Sequence, residues 1–120
     1  MKEKLTDKQM TTVKDFTKQM VKFWDEQKDY AYDYPSLDIW FKDGSYLKFF
    51  ISVKEVFDIP FGSLTMAYAG DEGVIEYPRW CPALCKENYK NAIKFMLSNI
   101  AAQVDITKDV ERIYRNVLTD

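Results

Sequence analysis

Histidine is absent from all 120 residues, and that absence removes more chemistry than any other feature of the chain. Without an imidazole there is no Ser–His or Cys–His nucleophile pair and no His-containing zinc site. Arginine is scarce: Arg79, Arg112 and Arg115 are the only three, so lysine carries most of the positive charge. Readers of guanine and phosphate rely on the planar, bidentate guanidinium, so sequence-specific DNA binding is not expected. The four glycines stand at turns or connections, and none belongs to a phosphate-cradling loop. The two cysteines, Cys81 and Cys85, are too few to close a structural zinc site. No apolar run approaches the roughly 18 residues that cross a bilayer. The first ten residues, MKEKLTDKQM, are polar and lack an apolar signal core. A cytoplasmic location with reduced thiols, and no membrane contact, is therefore expected.

What is present is apolar and aromatic material: 47% of the residues are hydrophobic and 16% are Phe, Trp or Tyr. This is enough for one folded domain over residues 1–120 without disulfides or metal. The 17 basic and 19 acidic residues leave a net charge of −2 and are interleaved, so the chain is neither a polyanion mimic nor a polycation.

Thr6-Asp7-Lys8-Gln9 has the form of a helix capping box. Met10, Val13, Phe16, Met20, Phe23 and Trp24 follow at spacings of three and four, one helical stripe that ends before Pro35. Tyr30, Tyr32 and Tyr34 recur at every second position, which suits either extended chain with all three on one side or the frayed end of that helix.

Ser36–Phe41 and Tyr46–Val53 flank Lys42-Asp43-Gly44, the pattern of a β-hairpin. A two-residue turn would pair Ile39 with Lys48 and put charge on the apolar face. A three-residue loop pairs Ile39 with Leu47, Leu37 with Phe49, Trp40 with Tyr46 and Asp38 with Lys48. Leu37, Ile39, Phe41, Leu47, Phe49, Ile51 and Val53 then share one face. Because a one-residue slip turns a whole strand over, the pattern selects this second register, with Gly44 in the left-handed position.

Glu55–Gly62 reads as a connection marked by Pro60 and Gly62. A second hairpin spans Ser63–Ala69 and Val74–Tyr77 around Gly70-Asp71-Glu72-Gly73, and Pro78 reads as the end of the sheet. Cys81-Pro82 suits the start of a helix whose stripe is Cys85, Tyr89, Ala92, Ile93, Met96, Leu97 and Ile100. Val110, Ile113, Tyr114 and Val117 suggest a last short helix. The expected fold is α+β, order α-β-β-β-β-α-α: a four-stranded antiparallel sheet of two hairpins, with one N-terminal and two C-terminal helices on one face.

Little of this points to catalysis. Cys81 and Cys85 form a CxxxC pair at a helix start, a setting that favours a reactive thiol. The plainer reading, with Cys81 as a cap and Cys85 beginning the core stripe, is preferred. Asp71, Glu72 and Glu76 lack the ligand density of a calcium loop, so no metal or cofactor is expected. The richest candidate is the outer hairpin face, where Trp40, Tyr46 and Phe50 lie among Asp38, Lys42, Lys48 and Lys54. Tyr32 and Tyr34, and Arg79 with Trp80, are further aromatic stretches of the kind enriched at interface hot spots. The expectation is a non-catalytic interaction protein, an adaptor, inhibitor or immunity-type regulator, that meets a protein partner or self-associates. The alternative is a module for a small nucleotide-like ligand, with Trp40, Tyr46 or Trp80 stacking a ring at a subunit interface. An enzyme relying on carboxylates or a thiol ranks last.

Overall fold

Thr6 opens the first helix as its pattern requires. Its amide donates to Gln9 Oε1 at 2.7 Å, and the Gln9 amide donates to Thr6 Oγ1 at 3.1 Å. Two of the helix's unpaired donors are satisfied reciprocally in this way. Helix α1 then runs Asp7–Gln27 and buries Val13, Phe16, Met20, Phe23 and Trp24, with Met10 left largely exposed. The computed structural model describes residues 4–27, 35–56, 59–71, 73–82 and 86–117, with the side chains of 52–63 and 77–88 excepted. Tyr30, Tyr32, Tyr34 and Cys85 lie outside the described residues.

Strands β1 (Ser36–Phe41) and β2 (Tyr46–Val56) form the hairpin in the register the side-chain pattern selects. Leu37 pairs with Phe49, Asp38 with Lys48, Ile39 with Leu47 and Trp40 with Tyr46. The Phe41 amide donates to the Ser45 carbonyl and the Gly44 amide donates to the Phe41 carbonyl, closing the loop. Gly44 adopts φ +90°, a conformation that costs a residue with a Cβ and costs glycine nothing.

The remaining elements are β3 (Ile59–Gly70), β4 (Gly73–Pro82), α2 (Lys86–Ala101) and β5 (Val110–Asn116). The five strands form one antiparallel sheet in the order β4-β3-β2-β1-β5. Leu37, Ile39, Phe41, Leu47, Phe49, Ile51, Leu64, Met66 and Tyr68 are buried in one core with α1 and with Tyr89, Ile93, Met96, Leu97 and Ile100 of α2. Phe16 meets Phe41, and Phe23 meets Phe49 edge-on, at 6.3 Å between ring centroids. Trp24 and Tyr89, 4.0 Å apart, join the two helices.

Several expectations from the sequence do not hold. Among the described residues the sheet has five strands and the fold two helices, because the C-terminal segment is a strand. Val110, Ile113 and Tyr114 follow the helical spacing of three and four, but pairing with β1 overrides it. The stretch read as a connection around Pro60 and Gly62 is part of the ladder, with Glu55 opposite Pro60 and Val53 opposite Gly62. Hydrogen-bond alternation turns the Pro60 nitrogen away from β2, beyond the last β3–β4 pair at Phe61 and Pro82, so no bond is lost. Pro78 does not end β4 for a related reason: its nitrogen faces the open edge of the sheet. Cys81 and Pro82 accordingly close β4 instead of starting a helix, and α2 begins at Lys86.

A Cβ built on Gly44 meets no atom within 4 Å, so substitution there tests backbone strain alone. Gly44→Ala is expected to lower unfolding free energy by about 1 kcal/mol, and Gly44→Asn by less, in urea titrations. Equal stability of all three proteins would contradict the left-handed turn.

Candidate functional site

Both helices cover one face of the sheet, and strand alternation places the even-numbered residues of β1 and β2 on the other. Directly paired residues share a face. The β1–β5 register, Trp40 opposite Arg112 and Asp38 opposite Tyr114, therefore adds two residues to the group expected from the hairpin. Trp40 and Tyr46 rings lie 4.6 Å apart at 34°. The Arg112 guanidinium carbon sits 5.5 Å from the Trp40 ring centre, and Lys48 Nζ 5.2 Å from that of Phe50. Each is within cation–π reach. Tyr114 is 53% exposed beside them.

Asp38 is the anomaly of this face, a carboxylate only 6% exposed. Lys48 Nζ approaches its Oδ2 at 3.8 Å, while Asp38 Oδ1 and Ser36 Oγ are buried with no hydrogen-bond partner among the described residues. An unbonded buried acceptor of this kind carries a desolvation penalty that Lys48 offsets from one side only.

A second polar cluster closes the hairpin end of the core. Lys108 Nζ donates to Asp43 Oδ2 at 2.7 Å, Ser45 Oγ at 2.7 Å and Tyr68 OH at 2.8 Å. It also lies near the Phe41 and Tyr68 ring faces. The Ser45 amide and hydroxyl both donate to Asp43 Oδ1. Bonds from the Lys108 side chain first, then from Ser45, hold the Asp43 carboxyl well below the usual carboxylate range. Burial alone would lower the Lys108 pKa, but its bonds to Asp43 and Tyr68 outweigh that and raise it above 10.5. An ammonium with all three protons engaged is a fastener and not a nucleophile.

The other sequence candidates separate. Arg79 and Trp80 pair through their backbones with Leu64 and Ser63 of β3, two strands away from Trp40; their side chains are not among those described. Tyr32 and Tyr34 fall outside the described residues. Asp71 and Glu76 are exposed, and among the described residues no group of three or more potential ligands gathers to hold a metal. Among those residues, too, no helix is long and apolar enough to cross a membrane. Sequence reasoning missed Arg112, Tyr114 and Lys108, all from the segment read as helical or as the break before it. The alternation of Arg112 and Tyr114 with Ile113 was the signal available.

A separate groove of about 530 Å³ runs between α1 and α2. Leu5, Met10 and Val13 line it together with Lys14, Lys18, Lys90 and Lys94. No protein-family model, curated protein or solved structure matches the chain.

Two outcomes follow for these clusters. Lys48→Met strands the Asp38 carboxylate and is expected to cost on the order of 1–3 kcal/mol in chemical denaturation, whereas Asp38→Asn costs less. An equal loss for both would contradict the burial of an unsatisfied acid. For the fastener, a depressed folded Asp43 pKa gives stability that is present above the unfolded value of about 3.9 and lost as pH falls further. The raised Lys108 pKa gives stability lost only as pH climbs past 10.5. Lys108→Met should therefore destabilise the protein between these limits and flatten its acid limb below about pH 4, as read from melting temperature against pH.

Proposed function

We propose that this chain is a small non-catalytic interaction protein, of the adaptor, inhibitor or immunity-regulator type, that binds a protein partner on its outer sheet face. The observation that carries this reading is the Trp40–Tyr46–Arg112 cluster, continued by Lys48, Phe50 and Tyr114. Tyr, Trp and Arg dominate interface hot spots because they combine large contact area with a polar handle. Here strand pairing and mutual packing already order them, which lowers the entropy lost on binding. The Trp40 ring is engaged by Tyr46 and Arg112, and the Phe50 ring by Lys48, which leaves less ring face for stacking a base. The surface suits a partner with apolar side chains flanked by carboxylates, for which Arg112 and Lys48 supply the cations.

The small-ligand reading keeps one specific support, the groove between α1 and α2. Its volume falls in the range of ligand sites, and four lysines surround an apolar lining. A small anionic ligand with an apolar part would suit it.

Capture from cytosolic extract with immobilised protein distinguishes the two. A partner retained by the wild type should fall at least about tenfold with Trp40→Ala plus Arg112→Ala, and stay bound to Lys90→Glu plus Lys94→Glu. Equal retention by the Trp40/Arg112 variant contradicts the proposed surface. A melting-temperature rise with millimolar nucleotide that the Lys90/Lys94 variant abolishes would favour the groove instead.

A further inference from the structure

Strand β5 is exposed at all seven of its positions, and Val110, Ile113 and Tyr114 show 36%, 43% and 53% of their surfaces. It stands at one end of the sheet and, among the described residues, pairs with β1 alone. Its backbone polarity follows from the hairpin. The Phe41 amide donates to Ser45 and the Pro35 carbonyl accepts from Ile51, so odd-numbered β1 residues bond toward β2 and even-numbered ones toward β5. Arg112, Tyr114 and Asn116, opposite Trp40, Asp38 and Ser36, therefore bond inward. Ile113 and Arg115 direct their amides and carbonyls to the open edge, while Glu111 is the extra residue of the bulge between Val110 and Arg112, where the alternation is interrupted.

The two edges of the sheet are not equivalent. On β4 the same alternation turns Pro78 and Pro82 outward, where neither has an N–H to offer. Proline and lysine are common guards against edge-to-edge pairing. Strand β5 contains neither.

We propose that β5 is a self-association strand: two copies pair antiparallel through it about a two-fold axis at Ile113, joining their sheets into one. Backbone polarity allows only registers that set outward-bonding residues opposite one another. The register centred on Ile113 sets Ile113 against its own copy and Arg112 against Tyr114, and brings Glu111, at the bulge, toward Arg115 of the other copy. The neighbouring permitted registers bring Arg112 opposite Arg112, or Tyr114 opposite Tyr114, and lose the approach of Glu111 to Arg115. Like charges directly opposite are destabilising, whereas opposite charges and aromatic pairs contribute favourably. Arg115 is already oriented by Glu26 and by the Phe23 ring. Ile113, on the helix-bearing face beside Ile39, remains open, so α1 leaves room for the second strand. Such an isologous contact closes as a dimer and leaves no further β5 edge. Partner binding on the outer face does not depend on it.

Sedimentation equilibrium of the whole chain tests the pairing by charge exchange. The wild type should move from 14.2 kDa toward twice that mass as concentration rises. Glu111→Arg and Arg115→Glu each place two like-charge contacts across the seam, and each alone should associate at least about tenfold more weakly. An equimolar mixture of the two restores both pairs and should recover the wild-type association as a heterodimer. In wild-type protein, the amides of Ile113 and Arg115 should gain exchange protection with concentration, while those of Arg112 and Tyr114 are protected throughout. A wild type that stays monomeric at millimolar concentration overturns the proposal. So does a mixture no tighter than its components, a dimer whose β5 amides stay unprotected, or occupation of that edge by a different protein. Far-UV circular dichroism of each variant confirms that it is folded. The amide measurement decides the matter on wild-type protein alone should a variant not fold.

Discussion

The Lys108 ammonium is the contact on which the assembly of the sheet turns. It binds Asp43 and Ser45 in the hairpin loop and Tyr68 in β3, two places far from Lys108 in sequence. The next residue, Asp109, accepts the Lys42 amide through its carbonyl at 3.0 Å. Together these bonds fix where the chain leaving α2 meets the open side of β1. Val110 then falls beside Phe41 and Arg112 beside Trp40, with a one-residue bulge between. Moved by one residue, β5 would present Glu111 or Ile113 to the outer face, and the Arg112–Trp40 contact would not exist.

Strand β1 consequently has neighbours on both sides, and its alternation sorts the whole molecule. Leu37, Ile39 and Phe41 enter the core beneath α1, while Asp38 and Trp40 emerge between β2 and β5. The helix-covered face supplies the hydrophobic stabilisation. The opposite face carries features that stability alone does not favour, namely a nearly buried carboxylate with an oxygen unbonded among the described residues, and aromatic rings under cationic side chains. Departures from good packing and full hydrogen bonding concentrate where a protein does something besides fold.

Much of this was legible in the residues. The capping box, the α1 stripe from Val13 onward and the hairpin register followed from periodicity, because a single polar face or a charged core position excludes the alternatives. The α2 stripe from Tyr89 to Ile100 was equally plain. The rest was hidden for identifiable reasons. Proline looked like an end to the sheet, yet its missing donor matters only where a neighbouring strand needs it, and Pro60 and Pro78 both face away from one. The apolar residues of 110–116 stand at helical spacing, and only the unpaired side of β1, a tertiary feature, makes the segment a strand. Most of the outer face, Trp40, Tyr46, Phe50, Lys48 and Asp38, was therefore visible from the hairpin, while Arg112 and Tyr114 were not.

The central claim is that β1 lies between β2 and β5 in these registers, so that Trp40, Tyr46 and Arg112 form one surface. Cross-strand Hα–Hα nuclear Overhauser effects read it directly, since only non-hydrogen-bonded pairs bring those protons close. The structure predicts strong peaks for Asp38–Lys48 and Trp40–Tyr46 across one side of β1, and for Leu37–Arg115 and Ile39–Ile113 across the other. Sequential amide–amide peaks through 110–116, or Hα pairs displaced by one residue, would contradict it.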